Sequence, residues 1–297
     1  MKYFTDVEGK TRLRSSEEIG EGAWGGIAAL IEKSIDNGSF GESFPSNCPD
    51  GSAVAGADRS TFFSMLRAEV PEIETELGIG KGNLYVLHPS RPPDVAVVLD
   101  VIQFCYAHVA KPVRGKYHSY FDHHHLTFDV ETGQVEFRTR INRIFARNGI
   151  VFELEHDGMI RRLIPVEIED LYKGSFVTPD ADFNKLMQDA MSAFRAPGQP
   201  QRERAVEKLW DAWERLKTLQ GGHKKTSAGE LLDRAANDNP KLRQVLEDEA
   251  LSLTRLGNDF RIRHHEVGKV ALTTSAHVDY VFYRMLSLIS LLVPHAG

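Results

Sequence analysis

The chain has 297 residues, 41% of them apolar and 26% charged, with a formal net charge of −6. That composition excludes wholesale disorder and collagen-like repetition, and it supplies enough apolar side chains for two domains of about 100 to 200 residues each. Residues 1–198 carry 21 Lys/Arg against 29 Asp/Glu, and residues 199–297 carry 15 against 13. DNA is therefore the less expected nucleic-acid partner, because wrapping it rests on broad phosphate neutralisation, while a local basic pocket in the last third stays open. No apolar run has the length of a membrane span, and the N-terminus lacks the apolar stretch of a signal peptide, so a cytoplasmic location without a membrane partner is expected. Two cysteines, Cys48 and Cys105, fit a reducing compartment and cannot build a disulfide framework or a four-thiolate zinc site.

In chain order, Ser15-Ser16-Glu17-Glu18 has a capping-box pattern ahead of Ile19, Ala23, Trp24, Ile27, Leu30 and Ile31, which recur at helical spacing. That helix should end near Asn37-Gly38. Residues 38–58 are rich in glycine, proline and short polar side chains and read as a long irregular loop, a candidate for contact with a ligand or partner. Asp58 is placed to cap a short helix with Phe62, Phe63 and Leu66. Pro92-Pro93-Asp94 opens another through Val98, Ile102, Cys105 and Val109. From Leu126, LTFDVETGQVEF reads as a strand and turn, followed by a helix with Phe137, Ile141, Ile144 and Phe145 that Asn148-Gly149 ends. Ile150–Glu155 and Met159–Pro165 then form a hairpin around Asp157-Gly158. Helix followed by hairpin is the outline of a winged helix.

A stripe of Phe183, Leu186, Met187, Ala190 and Phe194 closes the first region. Arg195-Ala-Pro-Gly-Gln-Pro200 is the expected domain break, which gives an α/β sensor or regulatory domain at 1–198 and a helical domain at 199–297. The helical domain shows four amphipathic stretches, the longest started by Asn239-Pro240. An antiparallel four-helix bundle is their economical packing. The expected fold class is α+β.

Three clusters bear chemistry. Asn258 to Glu266 reads NDFRIRHHE; helical geometry carried through it would put Asp259, Arg263 and Glu266 on one face and Arg261 and His265 on another. Imidazole moves protons and a guanidinium grips phosphate, which are the needs of RNA cleavage through the 2′-hydroxyl. His277, Tyr280 and Arg284 of the last helix are placed to face the same cleft. The second cluster, Tyr117 to His125, holds four histidines and Asp122. These are metal-ligating types, but consecutive side chains diverge on strand and helix alike, so His123, His124 and His125 cannot all reach one ion. Hydrogen-bonded histidines, with no metal and no cofactor, are the expectation, and a metal-dependent hydrolase centred on His118–His125 is an alternative. Cys48 lacks a histidine neighbour in sequence to activate it. The third cluster is basic: Arg140, Arg143 and Arg147 share a helix face, with Arg161 on the hairpin, an array suited to nucleic acid but diluted by Glu136, Glu153, Glu155 and Asp157.

The segments ALSLTRLGNDFRIRHHE (250–266), HVDYVFYRMLSLISLL (277–292) and EKLWDAWERLKT (207–218) resemble the C-terminal domains of bacterial AbiJ-type abortive-infection proteins, which are similar to HEPN helical bundles. The resemblance covers about the last hundred residues, and 140–163 is similar in layout to the winged modules of that group. It implies an anti-phage or stress-response protein that homodimerises through a HEPN-like bundle. It also implies RNA binding and metal-independent endoribonuclease activity, with Arg263 facing phosphate and His264 or His265 as acid/base. Nucleases of that kind space an arginine and a histidine several residues apart, whereas His264 and His265 directly follow Arg263. This departure leaves open a bundle that kept binding without catalysis. The alternative is a non-enzymatic dimerising module whose winged region binds nucleic acid.

Overall fold

Short acid and amide side chains start most of the long helices, each accepting a backbone N–H that a first helical turn leaves without a partner. Asp58 accepts from Thr61 at 2.6 Å, Asp94 from Ala96 at 3.0 Å, Asp129 from Thr132 at 3.0 Å, Asp180 from Phe183 at 2.8 Å and Asn239 from Leu242 at 3.1 Å. These contacts belong to a computed structural model that describes residues 4–8, 12–79, 85–165, 168–174, 176–219, 224–260, 262, 272 and 274–296. The chain is α+β and divides into two compact units, Met1–Leu163 and Ile164–Gly297.

The first unit runs α1 (Phe4–Val7), α2 (Glu21–Asp36), β1 (Pro45–Asn47), β2 (Val54–Ala57), α3 (Arg59–Glu69), a 3-10 turn (Pro71–Glu76), β3 (Leu77–Ile79), β4 (Tyr85–Leu87), α4 (Val95–His108), β5 (Lys111–His118), β6 (His123–Asp129), α5 (Val130–Arg147), β7 (Phe152–Leu154) and β8 (Ile160–Arg162). The strands pair only as antiparallel ribbons: β1 with β2, β3 with β4, β5 with β6 and β7 with β8. Two-stranded ribbons need a partner surface, and helices supply it. Trp24, Ile27 and Ile31 of α2, Phe62 and Phe63 of α3, Ile102 and Cys105 of α4 and Ile141 and Phe145 of α5 form one buried cluster.

Two local expectations change. The capping box at Ser15–Glu18 does not start α2, whose N-cap is Gly20. The backbone N–H groups of Ser15 and Ser16 instead donate to Gly149, and Ser16 forms a parallel bridge with Ile150. The segment expected as a turn around Thr132-Gly133 is the first part of α5. Gly133 is there because α5 crosses the start of β5 closely: a Cβ on it would lie 2.4 Å from the Lys111 nitrogen. Close approach, rather than turn chemistry, explains this glycine. The loop at 38–58 contains the β1–β2 hairpin.

The second unit runs α6 (Glu169–Tyr172), α7 (Ala181–Arg195), α8 (Gln199–Leu216), α9 (Lys224–Ala236), α10 (Pro240–Asp259) and α11 (Ser275–Leu292). Its core joins Phe183, Met187 and Phe194 to Leu209, Trp213, Phe282 and Ile289. The rings of Phe194 and Phe282 stack at 4.0 Å. The unit boundary therefore falls at Leu163/Ile164 and not at 198/199. The apolar stripe of α7 finds its complement on α8 and α11, so Pro197, Gly198 and Pro200 turn the chain between packed helices. Ser227 lies inside α9 and is buried. Arg202 is 1% exposed and pairs with Asp279 at 3.7 Å. The stretch Ser275–His295 has the length and composition of a membrane span, but half of it is buried within the protein.

Candidate metal centre

The β5–β6 hairpin closes on the pair His118↔His123, with Tyr117↔His124 next to it. Ser119–Asp122 make the turn, and Asp122 takes a left-handed φ of 55°, a conformation that aspartate tolerates better than most residues. Side chains alternate along β6, so His123 and His125 share one face and His124 takes the other. Accordingly His124 bonds the Gly115 carbonyl at 3.1 Å and its ring lies 5.0 Å from that of Tyr117. The rings of His123 and His125, 5.7 Å apart, turn toward His118, which lies 5.5 Å from one and 5.6 Å from the other.

Cys48 completes the cluster from the other hairpin. It directly follows β1, its N–H donates to Ala53 and its carbonyl accepts from Gly51, so the turn holds the residue in place, and β2 packs beside β6. The Cys48 Sγ sits 3.3 Å from His118 Nδ1 and is buried. One donor atom from each of Cys48, His118, His123 and His125 lies within 4.8 Å of all the others. A tetrahedral ion with Zn–S of about 2.3 Å and Zn–N of about 2.0 Å needs donors roughly 3.3 to 3.7 Å apart. Side-chain movements of about 1 Å bring this set to that spacing.

Two further features fit an ion. The Nε2 atoms of His123 and His125 are buried and have no hydrogen-bond partner, a costly state for a polar atom. Coordination would satisfy both. His118 turns Nδ1 to Cys48 and Nε2 to Asp50 Oδ2 at 3.3 Å, the carboxylate–histidine arrangement that fixes the orientation of a metal-binding imidazole. Phe121 covers the cluster, its ring parallel to His123 at 6.1 Å and edge-on to His118 at 5.1 Å. Thiolate with three imidazoles is a donor set that suits zinc, with cobalt as its spectroscopic substitute. This geometry runs against the sequence expectation of no metal.

The other residues singled out from sequence are dispersed. Cys105 is fully buried in the first core, where burial pushes its thiol up. Arg161 is held by Glu155 at 2.7 Å and Asp157 at 2.7 Å, and Arg147 donates to Thr5 at 3.1 Å. Arg140 and Arg143 are exposed on α5. Arg284 is gripped by both oxygens of Glu249 at 3.1 and 2.7 Å, which raises its pKa and occupies its fork. Arg263, His264 and His265 lie outside the described residues. The helix α10 stops at Asp259, and Phe260 is extended with ψ 158°.

Comparison of the chain with protein-family models, with curated proteins and with solved structures returned no match. The signal that sequence reasoning passed over is the spacing of two between His123 and His125 on a strand. Nothing local pointed to Cys48, which meets His118 across 70 residues.

Proposed function

We propose that the first unit is a zinc-binding module in which Cys48, His118, His123 and His125 hold one ion. The buried Nε2 atoms of His123 and His125, without hydrogen-bond partners, together with one donor atom from each of the four residues within 4.8 Å of the others, carry this reading. Four protein ligands close a tetrahedral sphere, so the ion acts as a staple between the β1–β2 and β5–β6 hairpins rather than as an open Lewis acid. The test is elemental analysis of freshly purified protein together with cobalt titration. One equivalent of metal is expected, with a thiolate-to-cobalt absorption band lost in Cys48→Ser and weakened in His123→Ala. Protein that purifies metal-free and takes up no cobalt overturns the assignment.

A second reading is favoured by one observation, the thiol–imidazole–carboxylate line Cys48–His118–Asp50. Without an ion this is the layout of an activated cysteine nucleophile. Fast alkylation of Cys48 in metal-free protein, slowed by His118→Ala, would favour it. It leaves His123 and His125 unexplained, which is why the metal comes first.

For the helical unit we propose the role that its resemblance implies: RNA binding in a cytoplasmic bacterial defence protein that dimerises through a HEPN-like bundle. In its support, α10 stops at Asp259 and α11 begins at Ser275, so the run Arg261–Glu266 lies in the sequence between the two helices. The helix–hairpin order of α5 with β7 and β8 supports a winged helix in the same coarse way. RNA cleavage that His264→Ala with His265→Ala, or Arg263→Ala, abolishes at an unchanged thermal midpoint would establish catalysis. Cleavage that persists in both variants removes it.

A further inference from the structure

We propose that the outer side of the β5–β6 hairpin binds single-stranded nucleic acid, with phosphates on β5 and a base stacked at the hairpin tip. The proposal rests on the metal reading for the rigidity of the hairpin, because the ion would fix His118 and His123, the pair that closes the turn.

β5 reads KPVRGKYH and has no acidic residue; Val113 to Tyr117 are exposed without a break. Arg114 and Lys116 lie in this run, and among the described residues no ion pair or hydrogen bond ties either one. Lys111 at the start of the strand is balanced by Glu136 at 2.7 Å, and exposed Arg140 lines the same cleft as Lys111 and Pro112. Arg140 thus adds a cation beside the start of the strand, where Glu136 and Asp129 offset Lys111, and Arg114 and Lys116 carry the positive charge farther along it. The strand stretches about 20 Å from Lys111 to Tyr117 at the usual rise per residue.

Aromatic groups sit where this track ends. Tyr117 is 48% exposed although its ring packs on His124 and its hydroxyl bonds Asp122. Tyr120, in the turn, is 83% exposed, with its ring perpendicular to that of Phe121 at 4.8 Å, so most of the ring is open to solvent. A large ring held in water at the tip of a ribbon has no use in the core. Cations that follow a backbone, with a ring on which bases stack, are how proteins hold single strands without reading sequence. A duplex keeps its bases stacked on one another and cannot use the ring. Charge complementarity on β5 selects a polyanion over a peptide strand, which would need pockets for alternate side chains.

The test is fluorescence anisotropy with a labelled single-stranded RNA of about 15 nucleotides, within the usual site sizes. It uses full-length protein whose zinc content has been measured. Arg114→Glu with Lys116→Glu should weaken binding at least about tenfold and reduce the salt slope by about 1.4, the loss of two phosphate contacts. Tyr120→Ala should weaken it about fivefold or more, and duplex RNA should bind less tightly than the single strand. Zinc content should be the same in all three proteins. Equal binding by wild type and the double variant at equal zinc overturns the proposal, as does a preference for duplex or for extended peptides. Protein without zinc whose RNA binding still depends on Arg114, Lys116 and Tyr120 overturns the metal assignment and leaves this surface standing.

Discussion

His118 has both ring nitrogens committed, one toward the Cys48 sulfur and one toward Asp50. Asp50→Asn should weaken metal affinity about tenfold by titration against a competing chelator, with stoichiometry unchanged, because the aspartate orients a ligand without being one. The residue-level chemistry was half legible. Histidines at spacing two on a strand share a face whatever the fold, but the fourth ligand arrives through tertiary packing that no local pattern records. Arg284 teaches the opposite lesson: its spacing with Tyr280 looked like a phosphate contact, and Glu249, 35 residues away, occupies it. Asp157 has a consequence in acid. Its carboxyl is held down to about 2 by Arg161 and by the Met159 N–H. A carboxylate lowered on folding adds stability above its unfolded pKa near 4, and that contribution is lost as pH falls toward about 2. Acid titration of amide protection in the β7–β8 hairpin should show a step in that window, and Asp157→Asn should remove it.

Elements were more legible than residues where a start signal and a periodic stripe agreed, as at Asp58, Asp94 and Asn239. They were misread where a residue type has two uses. Glycine favours turns and the sequence predicts one around Gly133, yet the residue serves a crossing of helix and strand that depends on chain folded elsewhere. The same ambiguity makes glycine substitutions diverge in sign. In α10 a Cβ on Gly257 would lie 2.2 Å from the Trp210 ring, while in α9 a Cβ on Gly229 would meet only the tip of Arg243 at 4.0 Å. Gly257→Ala should therefore cost about 1 to 3 kcal/mol by overpacking, and Gly229→Ala should stabilise by about 0.5 to 1 kcal/mol through helix propensity. Denaturant titration of both variants checks the contrast. Buried charge gives a further element-scale test: Asp279→Ala removes the carboxylate 3.7 Å from the buried Arg202 guanidinium and should cost about 3 kcal/mol, checked by the same denaturant titration.

At the scale of the whole chain, among the described residues each unit has its own apolar core. Calorimetry should resolve the melting of the first unit from that of the second. Chelator should lower only the first transition and Cys48→Ser should abolish the difference. A metal held at 1,000 times its dissociation constant adds about 4 kcal/mol to the unit that binds it. The α+β class was legible from composition and periodicity, but the boundary was not. Prolines and a glycine mark a change of direction equally well inside a domain and between domains, and only the partners of α7 decide which. The position of the four donors along the chain bears on how the protein is made. In a nascent polypeptide Cys48 is synthesised early and the last of the four donors is His125, so the full donor set exists in the chain before β7, β8 or any of α7 to α11 has been made. Scarcity of zinc would then be felt during translation, as a folding failure confined to the front of the molecule.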